Sequence, residues 1–306
     1  MLLTDVFSAE AVASVRTSDV SNSMAYAGLA FFPNKKKTGI DLKWIKTHKG
    51  LGVALKPSAF DGMATIRARK GFKVTNEEMP LFRESMVVKE QDLAEITRAQ
   101  ESNDPYLNEV LSHIYDDTNE LIDGADIAAE RMRMQLLAPV GGDMKIVIGT
   151  ADNVAYNYSY DPNGDWKAKH YASLEGTSTW DKADTSKPLN DIQKGIDYLT
   201  GIGVSPMYAM MTSKTFNYLI ENSQIKNAII TISGRTIDFV SKQVVKEVFQ
   251  SQTGLIPILY DKKFEDYDGK DKSFYPDDYV TIIGEGKLGN TWYGVTPEER
   301  TLLGDP

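Results

Sequence analysis

Cysteine is absent from all 306 residues, which excludes disulfides, thiol catalysis and cysteine-ligated zinc and leaves stability to packing and partners. No run approaches the roughly 20 apolar residues of a membrane span. The opening MLLTDVFSAEAVASV has an early Asp5 and no basic n-region, so it does not read as a secretory signal, and synthesis in a reducing cytoplasm is expected. Histidine is scarce: His48, His113 and His170 fall in three different expected elements and form no metal-spaced pair. No G-x-S-x-G elbow or other nucleophile motif is present. The adjacent acids Asp116-Asp117 and Glu298-Glu299 read as surface charge, because helix neighbours at i, i+1 do not face each other.

What is present is ordinary in amount and uneven in distribution. Apolar residues make up 42% and charged residues 25% of the chain, enough to build a core in one large domain or two of ordinary size. The formal net charge is -9. Asn34 to Lys73, however, carries eleven Lys or Arg against only Asp41 and Asp61, a net +9, so the rest of the chain sums to -18. A basic segment on an acidic body can bind nucleic acid, lie across the acidic surface of an identical neighbour, or remain a solvated loop.

Along the chain, GLAFFPNKKK (Gly28 to Lys37) reads as an extended arm ending in a turn. Short alternating stretches at Ile40–Trp44, Leu51–Leu55 and Ala64–Ala68 suggest a long, basic, two-stranded excursion. Such a ribbon has too few large apolar residues for a core of its own, so it is expected to be mobile until a neighbour orders it. Helical signals follow, first Gln91–Ser102, then a piece opened by Asp104-Pro105. In that second piece Leu107, Val110, Leu111, Ile114, Leu121, Ile122, Ala125, Ala129, Met132 and Leu136 recur at spacings of three and four, giving one apolar face to about Ala138 and a length of roughly 50 Å. Gly124 inside it is a candidate bend. Strands are expected at MKIVIG and VAYNYSY, and after the DPNG turn (Asp161 to Gly164) at WKAKHYASL. From Leu189 the pattern becomes mixed: helix to Thr200, strand PMYAMM, helix Ser213–Asn222, helix Lys242–Thr253, then strands LIPILY and YVTIIG.

Two motifs invite chemistry. Gly284, Gly286 and Gly289 fit G-x-G-x-x-G after a strand, but no helix or downstream acid follows as a dinucleotide site requires, and Asn290 stands where a P-loop lysine would. A glycine-rich turn is the better reading. In DKKFEDYDGKDKSFYPDD, Asp266, Asp268 and Gly269 resemble an EF-hand centre, yet Phe264 and Tyr275 would occupy the first and twelfth positions, where neither can ligate calcium. That stretch reads as a solvated hairpin tip.

Taken in order, GLAFFPN, GIDLKWIK, VALKPSAFD, IRARKGF, MPLFRESMVVKEQD, DPYLNEVL and RMRMQLLA resemble the major capsid proteins typified by that of phage lambda, the capsid E family. The similarity runs from about Ala30 to Thr150 and resumes at GNTWYGVTPEE. It implies an α+β chain of the Hong Kong 97 phage capsid type: an N-terminal arm over 1–37, an extended E-loop over 38–83, a peripheral domain with a long spine helix over 84–187, and an axial α/β domain over 188–306. It implies a phage or prophage head protein that self-assembles into hexamers and pentamers of an icosahedral shell enclosing DNA. Scaffold, portal and decoration proteins are the implied partners, and packaged DNA is touched only non-specifically.

No catalytic residue, cofactor, metal or membrane contact is expected; the protein would reside in the virion after synthesis in a bacterial host. An encapsulin-like cargo shell, or an enzyme acting on phosphates or carbohydrates, are the alternatives. Lys43, Trp44, Arg67, Arg69, Lys73, Arg83 and Glu84 are the expected subunit-interface residues. Family members usually continue with further strands beyond the TPEE region. The ending LGDP is therefore expected either to leave a sheet edge open or to place the TPEERTLLGDP tail over it.

Overall fold

The computed structural model describes residues 25–37, 41–46, 73–82, 107–149, 156–233, 240–266 and 269–296; within 41–46, 73–78 and 107–118 it defines the backbone alone. In chain order the elements begin with helix α1 (Ala27–Phe31) and strands β1 (Asn34–Lys37), β2 (Asp41–Lys46) and β3 (Lys73–Glu78). The long helix α2 (Leu107–Leu137) follows, then β4 (Lys145–Ile148), β5 (Tyr156–Ser159), α3 (Asp165–His170) and α4 (Pro188–Gly201). Next come β6 (Pro206–Met211), α5 (Ser213–Glu221), α6 (Ser223–Ser233), α7 (Lys242–Thr253) and β7 (Ile256–Leu259). The described chain closes with β8 (Lys263–Glu265), β9 (Asp271–Ser273), β10 (Thr281–Gly284) and β11 (Thr291–Gly294).

The three-stranded sheet β10-β6-β7 organises the second half of the chain. Its central strand β6 pairs antiparallel with β10 and parallel with β7. Because side chains alternate across a strand, Ala209 and Met211 enter one core and Met210 the other. The first core lies under helices α4 to α7 and holds Phe216, Leu219, Ile225, Val245 and Phe249, most of them fully buried. The second lies on the opposite face, where Met210 and Ile283 meet Met134 and Leu137 of α2, Phe31 of α1, and Tyr260, Phe264, Phe274 and Tyr275. The sheet is thus buried on both faces, which explains the unbroken apolar run PMYAMM. Its outer strand β7 carries Pro257, a residue tolerated on an edge and one that interrupts strand addition there.

Tyr275 locks this second core. Its hydroxyl donates to the Met210 carbonyl at 3.0 Å and lies 2.8 Å from Thr281 Oγ1, whose own proton goes to the Leu137 carbonyl at 2.7 Å. Burial pushes the phenol well above its ordinary range, so it stays a donor. Tyr275→Phe is expected to cost about 1 kcal/mol, read as a lower denaturation midpoint with unchanged denaturant dependence.

Local signals account for most element ends. Thr212 and Ser241 cap α5 and α7 by accepting from the Thr215 and Val244 N–H groups, and Gly254 at φ +73 closes α7. One expectation fails locally, and one helix stands where none was expected. WKAKHYASL is not a returning strand: the Asp161 carboxylate accepts from the N–H groups of Trp166 and Lys167 at 3.0 and 2.9 Å, and these bonds launch α3 instead. The hairpin is formed by β4 with β5 alone. Between α5 and α7, where the sequence reading assigns no element, the buried Asn222 accepts from Gln224 N–H while its amide donates to Ala183 and Ser186, starting α6.

Helix α2 spans 31 residues, about 46 Å, and continues through Gly124 without a break. Among the described residues its fully buried face follows the apolar stripe only in part. Ala129 of the stripe is buried together with Asn119, Glu130, Arg133, Met134 and Leu137, whereas Ala125 is exposed and Met132 and Leu136 are half-buried. Gln135 fastens β4 to the helix with a two-way bond to Val147, N–H and carbonyl, at 2.8 and 3.1 Å. The expected strands at Leu51–Leu55 and Ala64–Ala68, the Gln91–Ser102 helix and the TPEERTLLGDP tail beyond its first residue, Thr296, lie outside the described residues.

Candidate functional site

The polar centre of the molecule is an ion pair on the buried face of α2. Glu130 and Arg133 sit one turn apart, with Arg133 Nη1 3.2 Å from Glu130 Oε2, and their side chains are 0% and 5% exposed. Buried charges persist only when their remaining hydrogen-bonding capacity is filled. Glu130 Oε1 accepts from the Gly28 N–H at 2.8 Å and from the Tyr260 hydroxyl at 2.9 Å. Arg133 donates from Nε to Thr291 Oγ1 at 2.9 Å and from Nη2 to Asn34 Oδ1 at 2.6 Å. Burial, reinforced by the Glu130 charge, pushes the Tyr260 phenol far above its ordinary range, so it too remains a donor.

This pair gathers segments from both ends of the chain. The segment expected to be a wholly extended arm turns through α1, and Gly28 approaches α2 so closely that a Cβ there would lie 2.7 Å from Glu130 Oε2 and 2.9 Å from Arg133 Cβ. Beyond Pro33 the chain is extended, and β1 pairs parallel with β11, Asn34 opposite Thr291 and Lys35 opposite Trp292. Lys35 Nζ lies 5.6 Å from the centre of the Trp292 ring. The glycine-rich stretch makes this closure: Gly286 has φ +91, a Cβ at Gly289 would come within 3.0 Å of Phe32, and a strand follows in place of a nucleotide-binding helix.

A second buried charge lies in the β8–β9 hairpin. Asp266 is 5% exposed and is not part of a solvated tip: it accepts from Arg131 of α2 at 3.1 Å and from Lys272 at 2.6 Å. Two cations offset its desolvation, and they make it a structural anchor for the hairpin. Among the described residues no cluster of three His, Asp or Glu could hold a metal. His170 is held locally, stacked on Trp166 at 5.3 Å and edge-on to Tyr198 at 5.4 Å.

Of the expected interface residues, Lys43 and Trp44 fall on β2 opposite Asn76 and Thr75, and Lys73 begins β3 opposite Lys46. Arg67, Arg69, Arg83 and Glu84 lie outside the described residues. Among the described residues β2 and β3 pair only with each other. Beside α2 runs an open groove of about 2180 Å³, walled by Met132, Leu136, Leu81, Phe82, Tyr198, Leu288 and Trp292. Phe82 is 50% exposed and Trp292 42%. Sequence reasoning missed Glu130 and Arg133; their i, i+3 spacing permits an ion pair, but Asp126 and Arg131 are charged neighbours in the same stretch and nothing local sets the pair apart.

A model of the phage major capsid protein E family matches residues 26–303. No curated protein matches the chain. Among solved structures, a candidate prophage capsid protein from E. coli CFT073 is 16% identical with a TM-score of 0.42, over 74% of this chain and 61% of that one. A phage-related protein from Bordetella bronchiseptica RB50 is 12% identical with a TM-score of 0.35, over 56% of this chain and 45% of that one. The chain therefore spans about half to three-fifths of the length of these two structures, and neither likeness is strong enough to add to the family match. Because that match runs through α1 and β1 at the start, the long helix and the closing strand alike, the chain belongs to the phage major capsid protein E family.

Proposed function

We propose that this chain is the shell-forming subunit of a phage or prophage head, with a structural and not a catalytic role. The family match over residues 26–303 carries the reading. In it, hexamers and pentamers of the chain close an icosahedral shell around DNA, with 38–83 as an E-loop lying over a neighbour, 84–187 as the peripheral domain on the spine helix α2, and 188–306 as the axial domain. The first 37 residues form the arm. Scaffold, portal and decoration proteins complete the particle, and the protein resides in the virion.

Two observations support a ribbon that needs a neighbour. The β2–β3 register sets Lys46 opposite Lys73, and like charges facing each other across a strand pair are unfavourable by a few tenths to about 1 kcal/mol. The rest of the chain, at a net -18 against the +9 of Asn34 to Lys73, offers the compensating charge on an adjacent copy. An acidic body also avoids gripping DNA that has to be packed and released.

Assembly is therefore expected to weaken with added salt, since exposed charges are screened beyond about 8 Å at physiological ionic strength. Reversing Arg67 and Arg69 to glutamate should raise the concentration needed for assembly several-fold and flatten its salt dependence, measured by light scattering with negative-stain microscopy of the products. Unchanged assembly across salt concentrations would sink the electrostatic contact. Absence of any closed particle from the unaltered chain, with its expected helpers present, would sink the shell reading.

A further inference from the structure

We infer that residues 26–37 are a detachable strap that docks and releases as one unit with β11, and that the Glu130–Arg133 pair is its latch. Local structure alone is too short to hold the strap. Helix α1 has five residues and no side-chain cap, far short of what a helix needs to persist alone. Two local backbone bonds, Leu29 N–H to Tyr26 and Phe32 N–H to Gly28, close a single turn, and long-range bonds tie that turn to distant elements. Gly28 N–H goes to Glu130, Asn34 takes Arg133, and the Phe32 carbonyl accepts from Thr291 Oγ1, 259 positions away. The Phe31 carbonyl accepts from Leu288 N–H at 3.0 Å and the Pro33 carbonyl from Thr291 N–H at 3.0 Å.

The dependence is mutual, because β1 is the only strand paired with β11 among the described residues. Strap and β11 are therefore expected to form or separate together. The first core does not rely on them, since it contains no strap residue; the second receives the buried Phe31, with Tyr26, Ala27 and Phe32 packed at its margin. Release would admit water to the Glu130–Arg133 pair at the moment it loses Gly28 and Asn34, so hydration replaces the missing bonds and the open state is reachable without global unfolding. The strap joins residues 1–24 on one side to β2 on the other. A partner that engages either flank acts through the latch directly on α2, which makes the strap a coupling device between those flanks and the long helix.

The test uses the dispersed full-length chain with two variants that weaken the dock by different means, Gly28→Ala by crowding Glu130 and Thr291→Val by removing the hydroxyl shared by Arg133 and Phe32. Trypsin cleavage after Lys35, Lys36 and Lys37 is followed by mass spectrometry, and amide exchange is followed in Thr291–Gly294 and in β6. Both variants should raise cleavage at the lysines and exchange in β11 together, at least tenfold, while β6 keeps its protection. A rise at the strap without β11, a rise that includes β6, or no rise in either variant would each overturn the proposal.

Discussion

Arg133→Ala is expected to destabilise the subunit by about 3–5 kcal/mol, the range for stripping one partner from a buried ion pair. The mutation leaves Glu130, with no exposed side-chain surface, without a countercharge. It also removes the donors to Asn34 and Thr291, so the strap and β11 lose their shared anchor. Replacing both charges is the informative control. Glu130→Gln with Arg133→Met removes the unpaired-charge penalty and should cost clearly less than Arg133→Ala alone, because the burial of an uncompensated charge, not the loss of attraction, dominates the single mutant. Denaturant unfolding measures this. Equal losses in the single and double mutants would show that packing of the arginine stem is the larger contribution.

Phe249→Ala should cost a comparable 3–5 kcal/mol by a different route, the loss of transfer free energy plus an unfilled cavity. Phe249 is fully buried on α7 in the core that includes Phe216, Leu219 and Ile225, and no strap residue is near enough to collapse into the space. The two substitutions are therefore distinguishable by where protection is lost. Phe249→Ala should accelerate amide exchange in β6 and α7, and Arg133→Ala first in the strap and β11. If both variants lose protection uniformly, the molecule unfolds as one cooperative unit and the separation of strap from body is wrong.

Helices α4, α5 and α7 and strands β6, β7 and β10 stand within about a residue or two of where apolar spacing places them. Their ends are written in local chemistry: Pro188 in the first turn of α4, Thr212 and Ser241 as caps, Gly254 at positive φ. Where the reading missed, the deciding contact was a side chain returning to the backbone. Asp161 turned an expected strand into α3, and Asn222 began α6 one residue after α5 ended. Both are short polar residues whose capping role is possible in many contexts and is realised only when the following N–H groups are left without other partners.

Taken alone, the sequence determined the mixed class, the length and position of the long helix, the basic stretch within an otherwise acidic chain, and, through the ordered motifs from GLAFFPN to RMRMQLLA, the family. All of these follow from local composition, period and order. Only the tertiary structure decided which face of α2 is buried. Periodicity favoured a stripe that includes Leu121, Ala125, Ala129, Met132 and Leu136, and of these the fold fully covers only Ala129, burying beside it Glu130, Arg133, Met134 and Leu137 and leaving Ala125, Met132 and Leu136 along an open groove. The reason is physical: apolar spacing reports where burial is favourable on average, whereas a buried charge is stable only where several specific partners converge. Here those partners are Gly28, Asn34, Tyr260 and Thr291, drawn from three distant stretches of chain, and no spacing within any one of them announces the other two.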